Sequence, residues 1–208
     1  PSVWGAQEEF ISSPHLDDLQ CAYATLKGFL EGQHEKNVNV YACFDNEEVG
    51  SGTKQGAGST FLYDVLRRIN RCLERPEEDY YRAVAGSFML SADNAHAVHP
   101  NHPEKTDAEN CVYMNEGIVI KSHAGQKYTS DAVSIALFRD LCEKAGVPVQ
   151  YFANRSDEAG GSTLGNISAG KVSLNAVDIG LPQLAMHSAY ETAGIRDTCY
   201  LIKAAKQF

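Results

Sequence analysis

The feature that most constrains this chain is its alternation of short apolar runs with segments of helical periodicity. Asn37 to Phe44 (NVNVYACF), Ser87 to Ser91 (SFMLS) and Gly117 to Lys121 (GIVIK) read as buried strands. Leu16, Leu19, Tyr23, Leu26 and Leu30 recur at helical spacing, as do Leu62, Val65, Leu66, Ile69 and Leu73. A third helix is expected from about Ser130 to Ala145, with Val133, Ala136, Leu137 and Leu141 on its apolar face and Gly146 and Pro148 closing it. Pro148 to Ala153 and Asn175 to Ile179 read as further strands, and Ile195 to Phe208 as a helical docking tail. Strands spaced by helices imply a mostly parallel or mixed sheet covered on both faces. Functional groups in such sheets gather in loops beyond the strand ends. The loops here fall at Pro14 to Asp18, Asp45 to Gly58, Asp93 to Asn110 and Asp157 to Gly165.

Composition narrows the function classes. With 208 residues, 43% hydrophobic and 22% charged, the chain can bury the core of one globular domain. No apolar run approaches the ~20 residues of a membrane span. A net charge of -9 without an offsetting Lys/Arg cluster argues against nonspecific nucleic-acid binding. Cys21, Cys43, Cys72, Cys111, Cys142 and Cys199 never form C-x-x-C, so reduced, mostly buried thiols of a cytoplasmic protein are expected. The chain opens at Pro1 with neither an initiating methionine nor a signal-peptide pattern, which fits a processed or excised piece.

Four segments carry candidate chemistry. Asp45-Asn46-Glu47-Glu48-Val49-Gly50-Ser51 follows an apolar run, and two glutamates in a loop can converge on one site where strand neighbours would diverge. One could ligate a metal while the other faces the attacking water; the plainer reading is a solvated acidic turn. Asp17-Asp18 opens an amphipathic segment, where an N-cap explains one aspartate and leaves the other unassigned, a metal bridge being the sharper reading of it. Asp93, His96 and His99 lie at the end of SFMLS, where a sheet delivers residues to a site. His187 stands in the apolar PQLAMHS, and a lone histidine there is more often a satisfied core residue than a ligand. Together these segments supply Asp, Glu, Glu, Asp and His from separate loops. That inventory suits two divalent metal ions, zinc foremost with manganese or cobalt as alternatives, sharing a carboxylate around one water.

The strings HLDDL, DNEEVGS, SADNAHAVHP, GIVIK and PQLAMHS, in that order, resemble the aspartyl aminopeptidases, a family of cytoplasmic two-metal peptidases. The resemblance runs from about Gly5 to the C-terminus. It implies a three-layer α/β/α sandwich with a mixed, mostly parallel sheet, residues 1–208 forming the C-terminal portion of a catalytic domain. It also implies that the first strands, an upstream metal histidine and an inserted assembly domain lie outside these residues. By position, Asp17 resembles the carboxylate that bridges both metals, Glu47 the catalytic acid/base and Glu48 a ligand of one metal. Asp93 resembles the ligand of the other, His187 the partner of Glu48, and His96 and Lys121 the substrate contacts. The Asp17–Asp18 peptide is expected in cis by analogy. Glu158-Ala159 departs from the family's Pro-Cys, and His15 reads as a surface or supporting residue. The implied reaction removes an N-terminal Asp or Glu from a peptide, in a protein that self-associates into dodecamers and engages neither nucleic acid nor membrane. The alternatives are a related aminopeptidase of broader N-terminal preference and a noncatalytic assembly module. For Lys121 the plainer reading is the end of an edge strand.

Overall fold

The computed structural model describes residues 1–208. The chain begins with β1 (Ser2–Trp4) and β2 (Phe10–Ser13), then α1 (Leu16–Glu31), α2 (Phe61–Cys72) and α3 (Glu77–Ala85). Next come β3 (Phe88–Ala92), β4 (Ala95–His96), β5 (Ile118–Ser122), α4 (Ala132–Ala145) and β6 (Val149–Ala153). It closes with α5 (Leu164–Ala169), β7 (Asn175–Gly180), β8 (Pro182–Leu184), β9 (Glu191–Gly194) and α6 (Ile195–Gln207).

Four of the expected strands form one mixed sheet in the order β3-β7-β5-β6. β3 runs parallel to β7 and β5 to β6, while β5 and β7 are antiparallel. One face carries the main core: Ile118, Ile120, Val177 and Ile179 from the sheet meet Cys21 and Ala24 of α1, Phe138 and Cys142 of α4, and Leu201 and Ala204 of α6. The opposite face carries a smaller cluster of Ala95, Val112, Val119, Tyr128 and Phe152. α5 lies on that face too, since a side chain at Gly165 would run into Ser91 Oγ and Asp178 Oδ1. This is the expected α/β/α layering, with loops making up much of the third layer.

A second sheet, β1-β2-β9-β8-β4, was not expected from the sequence. Its strands are short and polar, and it brings together the loops that follow β2, precede β4 and follow β8.

Four expectations are corrected. On α1 the apolar line beyond Leu16 is exposed at Leu19, Tyr23, Leu26 and Leu30, and Gln20, Cys21, Ala24 and Gly28 are buried instead. Asn37 to Phe44 is not a strand: Val38 and Val40 are 75% and 48% exposed, and the run pairs with neither sheet. A strand needs a neighbour to satisfy its backbone and cover its side chains. This run instead lies against α1, the Tyr41 hydroxyl donating to the Ala22 carbonyl at 3.0 Å. On α4 the buried line is Ser134, Phe138 and Cys142, whereas Val133 and Leu137 are exposed. The bulky Phe138 sets the rotation, and Gly146 closes the helix in the left-handed region at φ 64°. The six thiols are free, but Cys43, Cys72 and Cys199 are exposed, so burial is not their common state. No helix is long and apolar enough to cross a membrane.

Candidate active site

Asp17 is the point at which the loops meet. Neither aspartate caps α1, because His15 occupies that position in the left-handed region without a side-chain bond. The backbone is still non-helical at Asp17 and Asp18, and the peptide between them is cis as expected. Asp17 Oδ1 is buried without a hydrogen-bond partner.

On one side of Asp17 stand Glu48 and His187. His187 Nε2 lies 3.2 Å from Asp17 Oδ2 and 2.9 Å from Glu48 Oε2. Glu48 comes from a tight turn in which the Gly50 N–H donates to the Glu47 carbonyl and the Ser51 N–H to the Asn46 carbonyl, both at 2.9 Å. Asn46 adopts φ 63°, a conformation asparagine tolerates better than most residues. His187 sits in the β8–β9 loop at φ 66°, with its N–H donating to Glu191 Oε1 at 2.7 Å.

On the other side stand Asp18 and Asp93. The Asp93 N–H continues the β3–β7 ladder to the Ile179 carbonyl, which fixes where its carboxylate leaves the sheet. Asp18 Oδ1 accepts the Asn94 N–H at 3.1 Å. Buried Asn94 also donates to the Leu16 carbonyl and to Gln183 Oε1, tying both sheets to the start of α1.

The ligand atoms of Asp17, Glu48 and His187 all lie within 4.8 Å of one another, as do those of Asp17, Asp18 and Asp93. Such crowding raises carboxylate pKa values. Burial first, then Asp93 and Glu48, push Asp17 up to about 8. Burial, Asp93 and Asp17 hold Asp18 well above the usual carboxylate range. Half-buried Glu47 is pushed up to about 7 by burial, then by Asp93 and Glu48.

A divalent cation in each group would relieve this repulsion and satisfy the orphaned Asp17 oxygen. Carboxylates with one imidazole are a donor set for zinc and its neighbours. The residues present therefore fit a metal pair.

The other candidates divide. Lys121 is 3% exposed on interior strand β5, which removes the edge-strand reading. Its Nζ donates to Asp93 Oδ2 at 3.2 Å and to the Asn94 carbonyl at 2.7 Å. Burial opposes its charge, but Asp93, Tyr128 and Asp178 outweigh that and hold its pKa above the ordinary lysine range. His96 is exposed on β4 and belongs to neither donor group. The protein around its ring lowers its pKa, by desolvation first and then by Lys121 and His187. His99 stacks on His102 in a surface loop, and His15 is exposed. Glu158 is also exposed and pairs with Lys105 at 3.1 Å.

Sequence reasoning left Asp18 as a spare carboxylate and missed Asn94 and Glu191. Glu191 acts through backbone N–H groups and Asn94 through a carbonyl and side chains of distant segments, contacts that leave no pattern in a sequence.

The model of the family "Aminopeptidase I zinc metalloprotease (M18)" matches residues 1–208. The chain belongs to the M18 family. A "Probable M18 family aminopeptidase 2" of Clostridium novyi is 51% identical over 207 residues, covering 100% of this chain and 48% of that protein. The chain thus spans about half the length of the curated relatives it matches. An M18 aminopeptidase structure from Thermotoga maritima superposes with a TM-score of 0.89 at 25% identity, over 100% of this chain and 47% of that one. The mApe1 dodecamer of S. cerevisiae gives 0.83 at 29% identity, again over 100% and 47%. M18 membership accords with the mixed α/β architecture and with a donor set suited to zinc.

Proposed function

We propose that this chain provides most of the site of a two-metal aminopeptidase that removes an N-terminal Asp or Glu from peptides. The observation that carries the reading is the pair of donor groups sharing Asp17, one with Glu48 and His187 and one with Asp18 and Asp93. Asp17 would hold both ions, Glu48 and His187 the first, and Asp93 with Asp18 beside it the second. A divalent pair held there supplies Lewis-acid polarisation of a carbonyl and acidifies a water.

Glu47 stands apart from both donor groups. Half-buried and free of both groups, its carboxylate would accept the proton of the attacking water and return it to the leaving amine nitrogen. Asp18 accepts the N–H of Asn94, the residue after Asp93, and would help hold that turn at the centre, while exposed His96 would contact the peptide. The M18 relatives support zinc as the first choice of metal. The S. cerevisiae dodecamer supports self-association, and the family resemblance supports work in the cytoplasm.

The acidic preference rests on Lys121, the buried cation beside the centre, which a substrate carboxylate would share with Asp93. One observation favours a second reading, an aminopeptidase of broader preference. Lys121 is already bonded to Asp93 and the Asn94 carbonyl, and its charge is used whether or not a substrate carboxylate arrives. Lys121→Met separates the two. Under the first reading, turnover of Asp- and Glu-starting peptides falls at least ~100-fold more than that of neutral ones, because the substrate carboxylate is left buried and unpaired. Equal losses for both substrate classes would reject the acidic preference.

A further inference from the structure

Glu191 opens β9, where its pairing opposite Ser13 fixes the backbone in the small sheet. The residue is 2% exposed, and each carboxylate oxygen accepts one backbone N–H. Oε2 takes that of Asp17 at 2.9 Å and Oε1 that of His187 at 2.7 Å. One side chain on a rigid strand thus holds two loops from opposite ends of the chain. Those loops carry the two residues whose side chains meet at 3.2 Å.

We infer that Glu191 is a positioning residue, a strut that sets the distance between Asp17 and His187 and so the geometry of the donor group they form with Glu48. The inference rests on the metal-centre reading proposed above. His187 holds φ 66°, a region that residues with a side chain seldom occupy without restraint. Its N–H bond to Glu191 supplies that restraint and turns the ring toward Asp17 and Glu48. The second bond fixes the Asp17 backbone directly, just where α1 has not yet become helical. Residues that orient ligands in this way tune affinity without touching the ion.

A buried carboxylate with two N–H donors can also be merely structural, and Asp197 provides the comparison. It is 0% exposed and accepts the Asn115 N–H at 2.5 Å and the Gly117 N–H at 3.0 Å, neither from a site residue. Glu191→Gln keeps the size of the side chain but turns an amide N–H₂ toward one of the two N–H groups, so one tie is lost. Zinc affinity is measured on the full chain by competition with a chromophoric chelator, beside the visible spectrum of the Co²⁺ form and thermal unfolding.

E191Q is expected to weaken the tighter zinc step roughly 10- to 100-fold and to shift the Co²⁺ bands, with activity returning as zinc is raised. D197N is expected to lower Tm and leave zinc affinity unchanged. If E191Q does not fold, Glu191→Asp carries the test, because it keeps the charge but is one methylene too short to reach both donors. The same fold-loss is then expected. Wild-type zinc affinity and Co²⁺ spectrum in whichever variant folds would overturn the inference. Failure of the unmutated chain to bind zinc would instead overturn the metal-centre reading on which it rests.

Discussion

Glu47 and Glu48 are neighbours whose surroundings assign them different work. Glu48 lies 2.9 Å from His187 inside a donor group, while Glu47 belongs to neither group and is pushed up to about 7. Glu47→Gln is expected to leave zinc content near its original level and to lower kcat by ~100- to 10,000-fold, because it removes a proton acceptor and no ligand. Glu48→Gln is expected to lose zinc first, with activity falling in proportion. Metal analysis beside kcat decides the matter; the same metal loss in both variants would contradict the division. At this scale the sequence was informative. Asp17, Glu47, Glu48, Asp93 and His187 were each modest signals as residues and were singled out together by the family resemblance, and each lies within or beside the two donor groups. Glu191 was missed, because its partners are backbone N–H groups contributed by distant loops.

At the scale of elements, α1 and α6 pack tightly against each other at Gly28. A side chain at Gly28 would come within 2.9 Å of the Ala205 carbonyl carbon and the Ile202 carbonyl oxygen. Alanine is the better helix former by ~1 kcal/mol, yet overpacking at a helix contact costs about 1–3 kcal/mol. Gly28→Ala is therefore expected to destabilise the fold, read as a lower urea midpoint; a higher midpoint would mean that the helices separate without cost. The strands of the main sheet were legible because each is a short, mainly apolar run, and the interior strands β5 and β7 are buried on both faces. The second sheet was not, since FISS, PQL and ETAG are too short and too polar to show a period. α3 was missed because its nine residues, EEDYYRAVA, are too few and too polar to show an extended apolar period. Asn37 to Phe44 misled in the opposite direction: its apolar residues suit a strand, but a strand exists only where another pairs with it.

Across the whole molecule, crowded carboxylates couple stability to pH and metal. Asp17 is raised from 3.8 to about 8, Glu47 from 4.5 to about 7 and Asp197 from 3.8 to about 7. Between about pH 4 and 8 the metal-free folded chain therefore binds more protons than the unfolded chain, and its stability falls as pH rises through that window. Zinc requires deprotonated ligands, so its stabilising effect grows with pH over the same range. Urea unfolding at pH 5 and pH 8, with a chelator and with zinc, is expected to give opposite slopes for the zinc contribution and the metal-free chain. A metal-free stability that rises with pH would contradict this.

Calorimetric titration of the metal-free chain with zinc, in the unmutated protein and in Asp17→Asn, bears most directly on whether Asp17 joins two metal positions. Within these 208 residues the Asp17–Glu48–His187 group has an imidazole and the Asp17–Asp18–Asp93 group has carboxylates alone, which suit zinc less well. The expected result is one tight binding event and a second that is much weaker, with both diminished in D17N. Zinc uptake by D17N that matches the unmutated chain, or no tight event in either, would contradict the account.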